Sequence, residues 1–303
     1  MKLAAFLRFI RWKNLLLIIY LQILLKFSLF SSFEITANLS VFQFVALLFS
    51  LILITAAGYI INDIFDLKSD LINKPQKVIV NNYFSVESAQ RLYLIVNTLG
   101  IVLGIGLSLS LQKPTFAFIF IGASLLLYFY SKKIKSKPLI GNIVVSFLVA
   151  FNIITLCLFD LDLVIQSEDQ QLVKYIMLLL AIFAFLINLV REIVKDIEDV
   201  NGDYNIKMNT LPILLGVART KNIASFLCVF PLGLLLFIVA KYAAIYKFII
   251  LYLLLFALVP LLYVAMKLLS AKTKKDFKKL SMFLKIIMFL GINSLLIFSL
   301  NSQ

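Results

Sequence analysis

The chain contains no histidine at all. That removes imidazole metal sites, an axial haem histidine and any serine–histidine or cysteine–histidine pair. Acid–base chemistry is left to carboxylates, lysine and tyrosine. The only two cysteines, Cys157 and Cys228, sit inside apolar runs, which suits neither a disulfide framework nor a metal-ligand spacing. Tryptophan occurs once, against 28 phenylalanines. Phenylalanine suits lipid contact or a greasy cavity, whereas an interfacial belt is normally built from Trp and Tyr. No low-complexity tract or Gly/Ser linker divides the chain, so residues 1–303 read as one domain. The short basic N-terminus lacks a clear small-residue cleavage site, and the apolar run behind it reads as a retained span.

What is abundant is apolar surface: 62% of the 303 residues are hydrophobic and the mean hydropathy is +1.03. Soluble domains have roughly 45–50% apolar residues; this chain reads as an all-α, polytopic membrane protein. A spanning helix takes about 20 apolar residues. Nine such runs occur, at about 12–31, 41–61, 90–111, 115–131, 139–159, 173–194, 223–241, 246–266 and 281–300. Most of the 29 basic residues fall on alternate connections, with Lys26, Lys113, Lys174, Lys241 and Lys247 assigned to the other side beside Asp160 and Asp162. The positive-inside rule then puts the N-terminus in the cytoplasm and the C-terminus outside the cell membrane. The net charge of +14 is accounted for by those loops and by contact with anionic lipid, without a nucleic-acid partner. Gly100, Gly104 and Gly106, in the third run, read as sites of close helix packing.

Two acidic stretches interrupt this pattern. Asn62-Asp63-Ile64-Phe65-Asp66-Leu67-Lys68-Ser69-Asp70 closes the second run. On a helix, Asn62, Asp66 and Asp70 recur at i, i+4 and i+8 and share a face. After the sixth run, Glu192, Asp196, Asp199 and Asp203 recur at i, i+4, i+7 and i+11, again one stripe. A charge in the bilayer costs roughly 2.5–3.5 kcal/mol, so two such sets on one membrane side are expected to serve function. Hard divalent cations take oxygen ligands, and a Mg²⁺-bridged diphosphate fits two carboxylate sets best. Lys68, Tyr130, Lys133, Lys135, Arg191 and Lys195 supply a basic and hydroxyl cradle for phosphate.

Asn62-Asp63-x-x-Asp66-x-x-x-Asp70, followed by Asp196-x-x-Asp199-x-x-x-Asp203 in a nine-helix chain, resembles the UbiA superfamily of intramembrane prenyltransferases. Arg11-x-x-Asn14, Tyr130-Ser131 with Lys135, and Gly141-Asn142 extend the match. The resemblance implies nine helices around a central cavity capped by the Asp-rich loops. It also implies Mg²⁺-dependent transfer of a prenyl group from a prenyl diphosphate to a lipophilic acceptor. On that basis Asp66, Asp70, Asp199 and Asp203 are the expected catalytic carboxylates and, with Asn62, the metal ligands. Asp63 and Asp196 are expected either as further metal ligands or as residues that orient Lys and Arg. Arg11, Asn14, Ser131 and Asn142 join the cradle residues as substrate-binding candidates.

Asp70-x-Ile72-Asn73-Lys74-Pro75 and the stretch from Arg191 through Gly202-Asp203 are similar to the ether-lipid branch of that superfamily, whose acceptor is geranylgeranylglyceryl phosphate. Residues 76–82 depart from that branch's Arg-Pro-Ile/Leu-Pro-Ser-Gly ending. Aromatic acceptors of the hydroxybenzoate, dihydroxynaphthoate or homogentisate type form the alternative. An ion-coupled transporter is the reading from another class. The acids cluster at one face, not the midplane, and no pair of broken helices flanks them, which argues against it. The Asp-Gly-x-x-Ala-Arg signature of alcohol phosphatidyltransferases does not occur.

Overall fold

The structure, a computed structural model, describes residues 2–162 and 167–301. Residues 163–166, in the connection after the fifth run, lie outside the described residues. The chain is 85% helical, with no strand among the described residues. Among the described residues, nine helices are long and apolar enough to cross a membrane: α1 Trp12–Ser32, α2 Val41–Phe65, α3 Val86–Ser110, α4 Pro114–Lys132, α5 Ile140–Asp160, α6 Glu168–Asn205, α7 Val217–Tyr242, α8 Lys247–Ser270 and α9 Lys274–Leu300. Each of the nine runs expected from hydropathy coincides with one of these helices and overhangs it by at most one residue. Backbone hydrogen bonding continues into polar ends that a hydropathy window rejects, which is why α6 reaches Asn205, past the expected limit at 194.

Local sequence sets several of the boundaries. Ser40 opens α2 with a capping box: its hydroxyl accepts from the Gln43 N–H at 3.3 Å, and its own N–H donates to Gln43 Oε1 at 3.0 Å. Ser85 caps α3 by accepting the Ser88 N–H at 3.2 Å. Between α3 and α4 the chain reverses through Gln112 in the left-handed region (φ 56°), and Pro114 starts the next turn.

The helices fall into two compact units. The first comprises residues 1–20, 39–141 and 201–208, and therefore holds α2, α3 and α4. Its packing uses the glycines of α3: a Cβ at Gly104 would overlap the Phe120 ring, and one at Gly100 would lie 2.9 Å from Ile54. Gly106 faces open space, so the close-packing expectation fails there. The second unit comprises residues 21–38, 142–200 and 209–303. Its core joins Ile187, Val190 and Val194 of α6 to Leu261, Val264 and Leu268 of α8 and to Leu284 and Ile287 of α9.

One assignment is corrected here. The charge of Lys26, within the first run, was counted on the far side of the membrane, and Asp160 was expected in a connection there. Both are instead buried in helices of the second unit, and Lys26 Nζ meets Asp160 Oδ2 at 2.6 Å. A buried charge is tolerated when paired, and here each residue supplies the other's partner. Lys26 lies in a π turn, Leu25–Leu29, within α1.

Candidate active site

In the first unit, α2 ends at Phe65 and a short helix, Leu67–Asn73, begins one residue later. Asp66 is the joint, at φ −84°, ψ −2°. The joint keeps helical register, because the Asp66 N–H donates to Asn62 O and the Asp70 N–H to Asp66 O, both at 2.8 Å. Asn62, Asp66 and Asp70 therefore recur as expected from their spacing. Asp66 is engaged on both oxygens: Asn62 Nδ2 donates to Oδ2 at 2.7 Å, and Lys135 Nζ forms an ion pair with Oδ1. Lys135 comes from the 3₁₀ turn Ile134–Ser136 that follows α4. Gly141 holds that turn in place by its lack of a side chain, since a Cβ there would lie 2.7 Å from the Lys135 Cα.

Arg11 sits before α1 with φ 50°. Its Nη2 donates to Asp63 Oδ1 at 2.9 Å, and the guanidinium lies 4.7 Å from the centre of the Tyr59 ring. Asn14 Nδ2 donates to the Tyr59 hydroxyl at 3.2 Å. Burial works against the Arg11 charge, but Asp63 and Tyr59 outweigh it and raise its pKa above the ordinary arginine value. Ser131 is buried, and its hydroxyl oxygen makes no hydrogen bond. Tyr130 is half-buried, while Lys68 and Lys133 stand exposed. Phe65, at the end of α2, packs edge-on against Tyr128, with ring centres 5.9 Å apart.

The segment after Asp70 closes this part of the site. Val78, Ile79 and Val80 are buried, the last two against Phe9, Ile60 and Ala89. These residues stand where the resemblance led to Pro and Gly. The turn is made by Asn81 at φ 70°, a conformation Asn tolerates. Asn73, last in its short helix, accepts the Gly202 N–H on Oδ1 at 2.9 Å. Asp203, the residue after Gly202, is buried in the same unit.

The second unit carries the other acids on α6. Asn142 Nδ2 donates to Asp196 Oδ2 at 2.8 Å. Ser146 Oγ donates to the Asn142 carbonyl at 2.6 Å, and Asn188 Nδ2 to Ser146 Oγ at 3.2 Å. This polar ladder, running from α5 to α6, is buried at Asn142, Ser146 and Asn188. Glu192 belongs to the acidic stripe but serves two cations, accepting from Arg191 Nη1 at 2.7 Å and Lys195 Nζ at 2.8 Å. Asp199 is half-buried further along the helix.

The sequence reading missed Tyr59, Ser146 and Asn188, and it left Glu192 and Asn73 out of the site. The available signal was helical spacing: Tyr59 precedes Asp63 by four, Asn188 precedes Glu192 by four, and Ser146 follows Asn142 by four.

No group of three or more Cys, Asp or Glu side chains gathers as a metal cluster among the described residues. The donors in the two acidic stretches are all oxygens, which suits a hard cation. Asp66, moreover, already carries a cationic ammonium. The residues fit a hard divalent ion in donor type.

The profile of the UbiA prenyltransferase family matches residues 27–287. Digeranylgeranylglyceryl phosphate synthase of Saccharolobus solfataricus is 33% identical over 248 residues, 82% of each chain. The enzyme of that name from Methanobrevibacter smithii is 37% identical over 161 residues, 53% of this chain and only 54% of that protein. Among solved structures, one of digeranylgeranylglyceryl phosphate synthase in membranes superposes with TM-score 0.67 at 26% identity, covering 99% of each chain. A UbiA homolog from Archaeoglobus fulgidus bound to GPP and Mg²⁺ superposes with TM-score 0.55 at 16% identity, over 96% of this chain and 99% of that one; at that identity the likeness concerns the fold.

Proposed function

The chain belongs to the UbiA prenyltransferase family, and on that premise we propose that it transfers a prenyl group from a prenyl diphosphate to geranylgeranylglyceryl phosphate. The observation that carries this reading is the match to digeranylgeranylglyceryl phosphate synthase across 82% of both chains. The site chemistry supports it: both acidic stretches are interleaved with cations and amides, as recognition of a polyanion requires.

Mg²⁺ is the proposed metal, since the A. fulgidus homolog holds it together with a prenyl diphosphate. Asn62, Asp66, Asp70 and Asp203 of the first unit, and Asp199 of the second, are the side chains proposed as Mg²⁺ ligands. When bound, it supplies positive charge to the diphosphate as that group leaves. Asp63, with its oxygen on Arg11, acts to orient that guanidinium, and Asp196 is oriented in turn by Asn142.

The chain's own part is positioning and charge. The allylic C–O bond breaks with its electron pair going to the diphosphate. Lys135, Arg11, Arg191 and Lys195 stabilise the negative charge that develops. Apolar walls exclude water from the allylic cation, and the Phe65 and Tyr128 ring faces stabilise it. The acceptor hydroxyl then attacks the allylic carbon and gives up its proton to the departed diphosphate, forming an ether. We place both acidic stretches at the cytoplasmic face of the cell membrane, because the basic connections fall on that side.

The test is a panel assay on purified protein, with geranylgeranyl diphosphate offered alongside geranylgeranylglyceryl phosphate, hydroxybenzoate, dihydroxynaphthoate and homogentisate. The expected product mass is that of the diether phosphate. An aromatic product with no ether would overturn the acceptor assignment.

A further inference from the structure

The contact between Asn73 and Gly202 joins two motifs that are distant in sequence, and two separate observations describe it. The Gly202 N–H donates to Asn73 Oδ1 at 2.9 Å. Independently, a Cβ built on Gly202 would overlap the Asn73 amide at its Nδ2, Cγ and Oδ1 atoms. Glycine is disfavoured inside a helix, yet here it lies within α6, three residues before its end. The close approach gives a reason: a side chain at this position would displace the Asn73 amide from the α6 backbone. Gly202 is buried, and both residues belong to the first unit.

The neighbours of these two residues give the contact its meaning. Asn73 follows Asp70 by three, on the helix Leu67–Asn73 that Asp66 starts. Gly202 immediately precedes Asp203. We propose that Asn73 is a positioning residue: by holding the Gly202 backbone, it fixes the placement of Asp203 relative to Asp70. The inference rests on the reading that these carboxylates serve the metal and diphosphate. Asn73 itself touches neither substrate nor metal in this account. It acts through the backbone, and its side chain must remain an acceptor of the same reach.

The experiment is a double-mutant cycle on the purified full chain, using Asn73→Ala, Gly202→Ala and the double variant. One readout is the Mg²⁺ concentration giving half-maximal turnover. The second is the shift in melting temperature on adding Mg²⁺ with inorganic diphosphate, which requires no catalysis. Asn73→Ala is expected to raise the half-maximal Mg²⁺ concentration by roughly 10-fold or more, as loss of a residue supporting metal ligands does, and to shrink the Mg²⁺–diphosphate shift. The melting temperature of the free protein should hold. Gly202→Ala should be more damaging, and much of its added effect should vanish in the Asn73→Ala background, where the space is free.

Effects that simply multiply would overturn the proposal, as would an Asn73→Ala protein with normal Mg²⁺ dependence. Should Gly202→Ala fail to fold, Asn73→Ser carries the same test, because its shorter side chain withdraws the acceptor without crowding. An Asp66→Ala control separates the two levels of the account. If that variant turns over normally, the carboxylate site itself is wrong. If it is dead while Asn73→Ala is normal, only the positioning role fails.

Discussion

Lys26 and Asp160 meet with 5% and 0% of their side chains exposed, whereas Lys135 and Asp66 meet with 12% and 19% exposed. Both are lysine–aspartate pairs in a chain short of charge, yet their settings differ. The first joins α1 to α5 inside the second unit and is sealed from solvent. The second sits in the first unit, where α2 gives way to a short helix, and Asn62 shares the same carboxylate. A sealed pair cannot exchange partners without leaving a buried charge alone. An accessible pair can open, the ammonium turning to an incoming phosphate while the carboxylate takes a metal. The difference separates a charge pair that holds helices together from one that the proposed function puts to chemical use.

Breaking the sealed pair should give the largest loss of stability. Asp160→Asn is expected to cost about 3–5 kcal/mol, because the buried Lys26 ammonium loses its carboxylate. The check is thermal melting in detergent, with turnover per folded molecule retained. Replacing both residues, as Lys26→Leu with Asp160→Leu, should recover most of the loss, since an apolar pair avoids the desolvation cost. The other pair should behave in the opposite way. Lys135→Met is expected to raise the donor KM by about 10–100-fold, the value of a hydrogen bond to a charged group, with no drop in melting temperature. Smallest are the effects that test packing alone. Gly104→Ala should cost about 1–3 kcal/mol through overlap with Phe120. Gly106→Ala, facing open space inside α3, should cost nothing and stabilise by up to about 1 kcal/mol.

The nine helices and both acidic stripes are legible in the sequence because each depends on local periodicity and composition. The same holds for Lys135 and Asn142, which stand in recognisable motifs. What escapes is pairing over long separations. Lys26 and Asp160 are 134 positions apart, and nothing in either neighbourhood names the other. A charge count assigns both to the far side of the membrane, because the rule places charges outside the membrane unless a partner is known. Glu192 looked like one more acid on the stripe. Only its two contacts show that it balances Arg191 and Lys195. Tyr59 and Asn188 escaped for a related reason: they are polar residues inside apolar runs, one or two turns before the motifs they support.

The account's central claim is that the carboxylates of the acidic stretches serve a metal-dependent departure of diphosphate. It is tested most directly by release of diphosphate from geranylgeranyl diphosphate, with acceptor present, by wild-type protein, Asp66→Ala and Asp199→Ala, each with Mg²⁺ and after chelation by EDTA. The account predicts release only from the wild type with Mg²⁺, with both variants inactive though folded and membrane-inserted. Near-normal release by either purified variant, or release that survives EDTA, would contradict it.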